Sequence, residues 1–167
     1  APIGNPDDWT DRAKRVLAEA DVIAAEDTRV ARKQLTQLGI KAKSLVTHHE
    51  HNEEASTKGL IEALKTYKNV ALLSDAGTPC ISDPGFKLVR AAHENKIKVI
   101  PVPGASSITA ALSVSPIGGK SFYFGGFLPP SEEARVKALR RVVGCSERLV
   151  FFEAPHRLRE TLASAEK

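Results

Sequence analysis

The stretch "SDAGTPCISDPG", residues 74 to 85, follows the apolar run "VALL" and crowds glycines, prolines, hydroxyls and carboxylates into one segment. Neither helix nor strand can run through it. Gly77 and Gly85 admit close backbone approach, and Ser74, Asp75 and Thr78 can hydrogen-bond a carboxylate, an ammonium or a hydroxyl. A second loop, "VPGASS" at 102 to 107, ends another apolar segment and opens a helix capped by Ser106 or Ser107, whose N-terminus favours an anion. Each loop alone also reads as an ordinary tight turn; together they flank one pocket. No G-x-G-x-x-G follows a strand and no G-x-x-x-x-G-K-[ST] occurs, so the dinucleotide and nucleoside-triphosphate fingerprints are both absent.

The elements that must position these loops alternate. "DDWTDRAKRVLAEA" reads as a helix with Asp7 or Asp8 as cap, "DVIAAE" as a short buried strand, and "TRVARKQLTQLGI" as a second helix stopped by Gly39. "SLVTHH", "NVALLS" and "IKVIPV" follow as strands, separated by helices over "EEASTKGLIEALKTY" and "GFKLVRAAHEN". Strands alternating with helices in this way predict an α/β fold with a mostly parallel sheet covered on both faces. In such a sheet ligands collect outside the carboxyl ends of the strands, where both loops fall.

At "SPIGGK", residues 115 to 120, the texture changes. An aromatic strand in "SFYFGGFLP", a helix, the strand "RLVFFEA" and a last helix follow. The expected division is an N-terminal α/β domain over 1–118 and the start of a second α/β domain over 119–167. Two strands and two helices are too little for an independent sheet-based core, so the second domain is expected to be incomplete.

With 167 residues, 42% apolar and 26% charged, the composition is globular, which excludes a disordered chain. A net charge of +4 fits a polyanionic partner without specifying one. Cys80 and Cys145 lie far apart without metal-ligand spacing, the pattern of a reduced, cytoplasmic chain. No apolar stretch of membrane-spanning length and no export leader is present, so no membrane partner is expected. His48, His49 and His51 are spaced closely enough to bind a metal but lack matching carboxylates or cysteines, and no metal is expected.

Seven segments occur in order: "PIGNPDD" (2–8), "AAEDTR" (24–29), "HEHNE" (49–53), "SDAGTPCISDPG" (74–85), "PGASS" (103–107), "GGFLP" (125–129) and "FFEAPHRL" (151–158). The set resembles the 16S rRNA ribose methyltransferase branch of the tetrapyrrole methylase superfamily. "SDAGTPxISDPG" and "EAPHR" are specific to that branch, whereas "PGxSS" is shared with porphyrin and corrin methylases. The resemblance implies S-adenosylmethionine bound between two domains, 2'-O-methylation of a cytidine ribose in the decoding region of 16S rRNA or the small ribosomal subunit, and a homodimer.

By the same resemblance Gly77, Thr78 and Pro79 occupy the place of the superfamily's Gly-Asp-Pro motif, with Ile81 as the apolar contact behind it and Ser74 and Asp75 beside the cofactor. Ser106 and Ser107 match the second cofactor loop, and Phe127, Glu153, Ala154 and Pro155 face the cleft from the second domain. A departure is Pro6, where the family has Leu, and the family's strand ahead of "PIGN" is not in this sequence. Removing the proton of a ribose hydroxyl calls for a carboxylate or imidazole within hydrogen-bond reach. Asp27, Glu50 and His51 are the candidates, with Arg29 and Asn52 orienting phosphate or ribose.

Alternatives stay open at this level. Glu26 and Asp27 can cap the helix starting near Thr28, and His156 can pack at a helix start. The basic groups Arg29, Arg32, Lys33 and Arg135, Lys137, Arg140, Arg141 can be solvated helix faces or can converge on one RNA-binding rim. A methylase acting on a porphyrin or corrin precursor and a non-catalytic nucleic-acid-binding module are the competing functions.

Overall fold

A computed structural model describes residues 1–66 and 68–167; Tyr67, at the end of the third expected helix, lies outside the described residues. Two compact units divide between Ala110 and Ala111, ahead of the Pro116–Lys120 segment where the sequence changes texture.

The first unit is built on β1 (Val22–Ala25), whose four residues are all buried. It pairs in parallel with β2 (Leu45–Thr47) on one side and β3 (Val70–Leu73) on the other, giving the order β2-β1-β3. Alternation along β1 separates two cores. Ile23 and Ala25 meet Leu17, Ala31 and Leu35 from α1 (Asp11–Glu19) and α2 (Thr28–Gln37). Val22 and Ala24 meet Leu60, Ile61, Leu88 and Ala92 from α3 (Glu53–Lys65) and α4 (Phe86–Glu94). A sheet covered on both faces is what the sequence predicts, and burying Ile23 completely contributes roughly 1.5–3 kcal/mol.

Two local expectations are corrected. The first helix is capped by Thr10, which accepts from the Ala13 N–H at 3.1 Å, rather than by Asp7 or Asp8. Pro6–Asp8 form a separate 3-10 turn, and Trp9 between them is buried in the core at 7% exposure. The second correction is "IKVIPV". Residues 97–102 form no strand: Pro101 carries no N–H, and the segment lines a largely apolar cleft of about 440 Å³. Val70–Leu73 and Lys98–Val102 both line this cleft, and the sheet of the first unit holds only β1, β2 and β3 among the described residues. Helix α5 (Ser107–Val114) follows.

In the second unit β4 (Phe122–Phe127) pairs in parallel with β5 (Arg148–Phe152), and α6 (Glu132–Arg140) packs on α7 (Leu158–Ala165). Arg135 is not part of a solvated basic face. It is 2% exposed, and its guanidinium donates to Ser164 Oγ at 2.9 Å and to the Pro130 carbonyl at 2.9 Å. Arg157 donates to the Leu128 and Pro129 carbonyls at 2.9 and 3.0 Å. Two arginines therefore hold the turn behind β4 through charge-assisted hydrogen bonds to its carbonyls.

Gly125 lies directly against an aromatic ring: a Cβ there would sit 2.3 Å from Phe151 Cε1 and 3.1 Å from Tyr123 Cε1. The Gly125→Ala variant should lose about 1–3 kcal/mol in urea unfolding, because the ring must leave its site. Gly118→Ala, where nothing lies within 4 Å, should be far milder.

Candidate functional site

The carboxyl ends of β1, β2 and β3 carry "EDTR", "HHEHNE" and "SDAGTP" respectively, so parallel pairing alone brings three chemistry-bearing segments to one rim. Side chains then tie them together. The Asp27 N–H donates to Asp75 Oδ1 at 3.3 Å, and the Gln34 amide of α2 donates to the Asp75 carbonyl at 2.8 Å. The two glycine-rich loops also meet. Thr78 Oγ1 donates to the Ala105 carbonyl at 3.5 Å, and a Cβ on Gly77 would lie 3.9 Å from the same oxygen.

Gly77 has φ +69°, a left-handed conformation that favours glycine, and Gly85 has φ +130°. Cys80 and Ser82 take φ of 69° and 62° without that freedom, so the loop is locally strained and must be held by its surroundings. Ser74 is buried and spends its hydroxyl inside the loop, donating to the Gly77 carbonyl at 3.2 Å. The N–H groups of Thr78 and Ala105 have no acceptor among the described residues. Thr78 and Ala105 line one largely apolar cleft with Pro79 and Gly104, while Ile81 is 45% exposed. Ser106 accepts from the Ala110 N–H as the first turn of α5 forms, and Ser107 is exposed beside it.

The rim carboxylates differ in environment. Asp27 caps α2, accepting the Arg29 N–H at 2.8 Å, and it also grips the Arg29 guanidinium at 2.6 Å. Those hydrogen bonds pull its carboxyl down to about 2. Arg29 is 88% exposed at the other end of that pair. Asp75 and Glu26 go the other way. Burial pushes both above the ordinary carboxylate range, helped at Glu26 by the charges of Asp75, Asp83 and Asp27 and at Asp75 by that of Asp27. Asp83 is raised as well, by burial and then by Asp75.

"HEHNE" divides. Glu50 and His51 are exposed, with the His51 ring edge-on to His49 at 6.0 Å between centroids. Asn52 is spent on its own turn: its Oδ1 accepts the His49 N–H at 2.8 Å, and its Nδ2 donates to the Thr47 carbonyl at 3.2 Å. His48 is fully buried with Nδ1 2.7 Å from Ser56 Oγ, and among the described residues no group of three or more metal-ligating side chains is assembled.

In the second unit Glu153 is 8% exposed and already engaged by Thr161 Oγ1 at 2.5 Å, the Ala154 N–H at 2.8 Å and Arg157 at 3.3 Å. Phe127 is half exposed and its ring meets Phe152 at 5.5 Å, while Pro155 and His156 are exposed at the start of a short 3-10 turn. His156 therefore does not pack at a helix start.

The model of the tetrapyrrole (corrin/porphyrin) methylases matches residues 1–167. The chain belongs to the tetrapyrrole methylase family. Among its relatives in that family, proteins named ribosomal RNA small subunit methyltransferase I are 49% identical in Halalkalibacterium halodurans, over 96% of this chain and 55% of that one. The namesake in Pasteurella multocida is 45% identical over 99% of this chain and 59% of that one. The chain thus spans little more than half the length of the curated relatives it matches. The crystal structure of uroporphyrin-III-C-methyltransferase from Thermus thermophilus superposes with a TM-score of 0.60 at 25% identity, over 86% of this chain and 70% of that one. This tetrapyrrole methylase fold is the α/β class that the alternation of elements predicts. Among the described residues no helix is long and apolar enough to cross a membrane.

Sequence reasoning reads Glu26 as a helix cap and His48 only as a metal candidate, and it singles out neither Asp83 nor Glu53. Burial of His48 lowers its pKa more than the neighbouring Glu53 raises it, and His49 adds to the lowering. The unfolded chain therefore takes up a proton near pH 6.5 that the folded chain still refuses. His48 favours folding above that pH, and its contribution is lost as pH falls from about 6.5 toward the folded value. Urea midpoints should drop between pH 7.5 and 5.5, and His48→Gln should flatten the drop relative to wild type.

Proposed function

We propose that this chain forms the cofactor-binding part of an S-adenosylmethionine-dependent methyltransferase acting on a cytidine ribose 2'-hydroxyl of 16S rRNA, in the decoding region. The observation that carries the reading is the junction of "EDTR" with the glycine-rich loop, where the Asp27 N–H meets Asp75. It sets the acceptor side of this reading directly beside its cofactor side. The relatives' shared name supports RNA as the substrate, and the +4 charge suits a polyanion. The full protein in this reading is a homodimer, as the family resemblance implies, and cytoplasmic, as the cysteine pattern suggests.

The open amides of Thr78 and Ala105 in a largely apolar cleft fit a ligand carrying both polar and apolar parts. When bound, S-adenosylmethionine supplies an electrophilic methyl group on a sulfonium. The protein's part is to place the ribose oxygen in line and to take its proton. Asp27, one of the three sequence candidates for that proton beside Glu50 and His51, is a poor acceptor because Arg29 stabilises its ionised form; its role is to hold the exposed guanidinium toward a phosphate. Asp75 and Glu26 are better bases. Burial raises both carboxyls from their ordinary values, which increases their proton affinity.

The competing reading, methylation of a porphyrin or corrin precursor, draws on the uroporphyrin methyltransferase likeness. Methyl transfer from labelled S-adenosylmethionine to small ribosomal subunits, with uroporphyrinogen as the alternative acceptor, separates the two. Asp75→Asn or Glu26→Gln, whichever removes the base, should lower single-turnover rate by about a hundredfold to ten-thousandfold. The wild-type rate should fall with acid along a limb above the ordinary carboxylate range, because the base works only when ionised. Incorporation into the tetrapyrrole but not the subunit overturns the RNA reading.

A further inference from the structure

The strained loop 74–85 needs an anchor, and one comes from a motif that the reading above does not use. Glu53, the last residue of "HEHNE", is the first residue of α3 and is buried. Its Oε1 accepts two backbone N–H groups of a distant segment, Gly85 at 3.0 Å and Lys87 at 3.0 Å. Those amides belong to the first turn of α4, where no side chain of its own caps the helix: the preceding residue is Gly85. One carboxylate thus caps a helix from across the fold, and in doing so fixes the point where loop 74–85 ends.

The surroundings leave the loop end little freedom. A Cβ at Gly85 would lie 2.5 Å from Leu72 Cδ2 and 2.9 Å from Cys80 Sγ, so the backbone there is pressed onto β3 and onto the strained part of the loop. Behind the carboxylate stands His48, whose Nε2 is 4.0 Å from Glu53 Oε1 and has no hydrogen-bond partner among the described residues. The His48 N–H donates to the Ala25 carbonyl at 2.7 Å, and its Nδ1 lies 2.7 Å from Ser56. The anchor is therefore itself braced by the strand end that carries "EDTR".

We infer that Glu53 is a positioning residue: through the Gly85 and Lys87 amides it holds loop 74–85 in the conformation that binds S-adenosylmethionine, so that the acceptor-side motif "HEHNE" sets the geometry of the cofactor side. The inference rests on the cofactor reading given above. A merely structural glutamate would affect folding and leave the affinity of the folded protein alone. A positioning glutamate changes affinity through the loop, and its amide isostere replaces it because Gln can still accept both N–H groups.

The test is titration calorimetry with S-adenosylmethionine on the full-length protein, together with hydrogen–deuterium exchange over residues 74–90. Glu53→Ala should weaken binding by about tenfold or more and accelerate exchange in the segment containing Gly85 and Lys87. Glu53→Gln should stay within about threefold of wild type. Glu53→Asp, which withdraws the carboxylate by one methylene, should behave like Glu53→Ala and replaces it if that variant does not fold. Leu60→Ala, a core truncation in the same helix, should lower the melting temperature without changing affinity. A folded Glu53→Ala or Glu53→Asp with wild-type affinity overturns the inference, as does equal weakening by Leu60→Ala. Failure of the wild-type protein to bind overturns the cofactor reading and the inference with it, a result distinct from either of those.

Discussion

Strand β1 pairs with a parallel neighbour on both edges and is buried on both faces, and the rest of the first unit follows from that constraint. A strand so placed admits only apolar side chains, here Val22, Ile23, Ala24 and Ala25, and pushes polar chemistry to its end. Glu26 and Asp27 are the first residues free of the sheet. Because β2 and β3 run parallel to β1, their own first polar residues emerge at the same edge. Two small alanines at the end of β1 let the helices pack closely on each face, which keeps the rim compact.

Compactness has an electrostatic consequence. Carboxylates gathered where water is partly excluded cannot all ionise at their ordinary values, and the rim resolves this unequally. Asp27 is stabilised as an anion by Arg29, whereas Glu26, Asp75 and Asp83 are held up by burial and by one another's charge. In the proposed function these unequal environments make Asp27 the orienting group and the raised acids the proton acceptors. Glu53 takes a third role, because its carboxylate is turned inward onto backbone amides.

Much of this was legible in the residues. The alternation of elements, the cap at Asp27 and the meeting of the two glycine-rich loops all follow from local patterns: breakers behind apolar runs and a short acidic residue ahead of a helix. Other features had no local signal. "IKVIPV" is rich in β-branched residues, but pairing depends on a neighbouring strand, which its own segment does not reveal. Glu53 reads as an ordinary acid in the first turn of a helix, and its distant amide partners are invisible in its own segment. Arg135 reads as one of a basic stripe, and only the carbonyls of the turn behind β4 explain its burial. Glu153, placed at the cofactor by resemblance, spends its oxygens on Thr161, Arg157 and the Ala154 amide.

The account stands or falls on the cofactor side of the rim. A crystal structure of the full-length protein with S-adenosylhomocysteine tests it most directly. The account predicts the ligand's polar groups on the amides of Thr78 and Ala105, an apolar contact at Ile81, and Asp75 within reach of the acceptor position. A ligand seated away from both glycine-rich loops, with those amides still facing water, would contradict it.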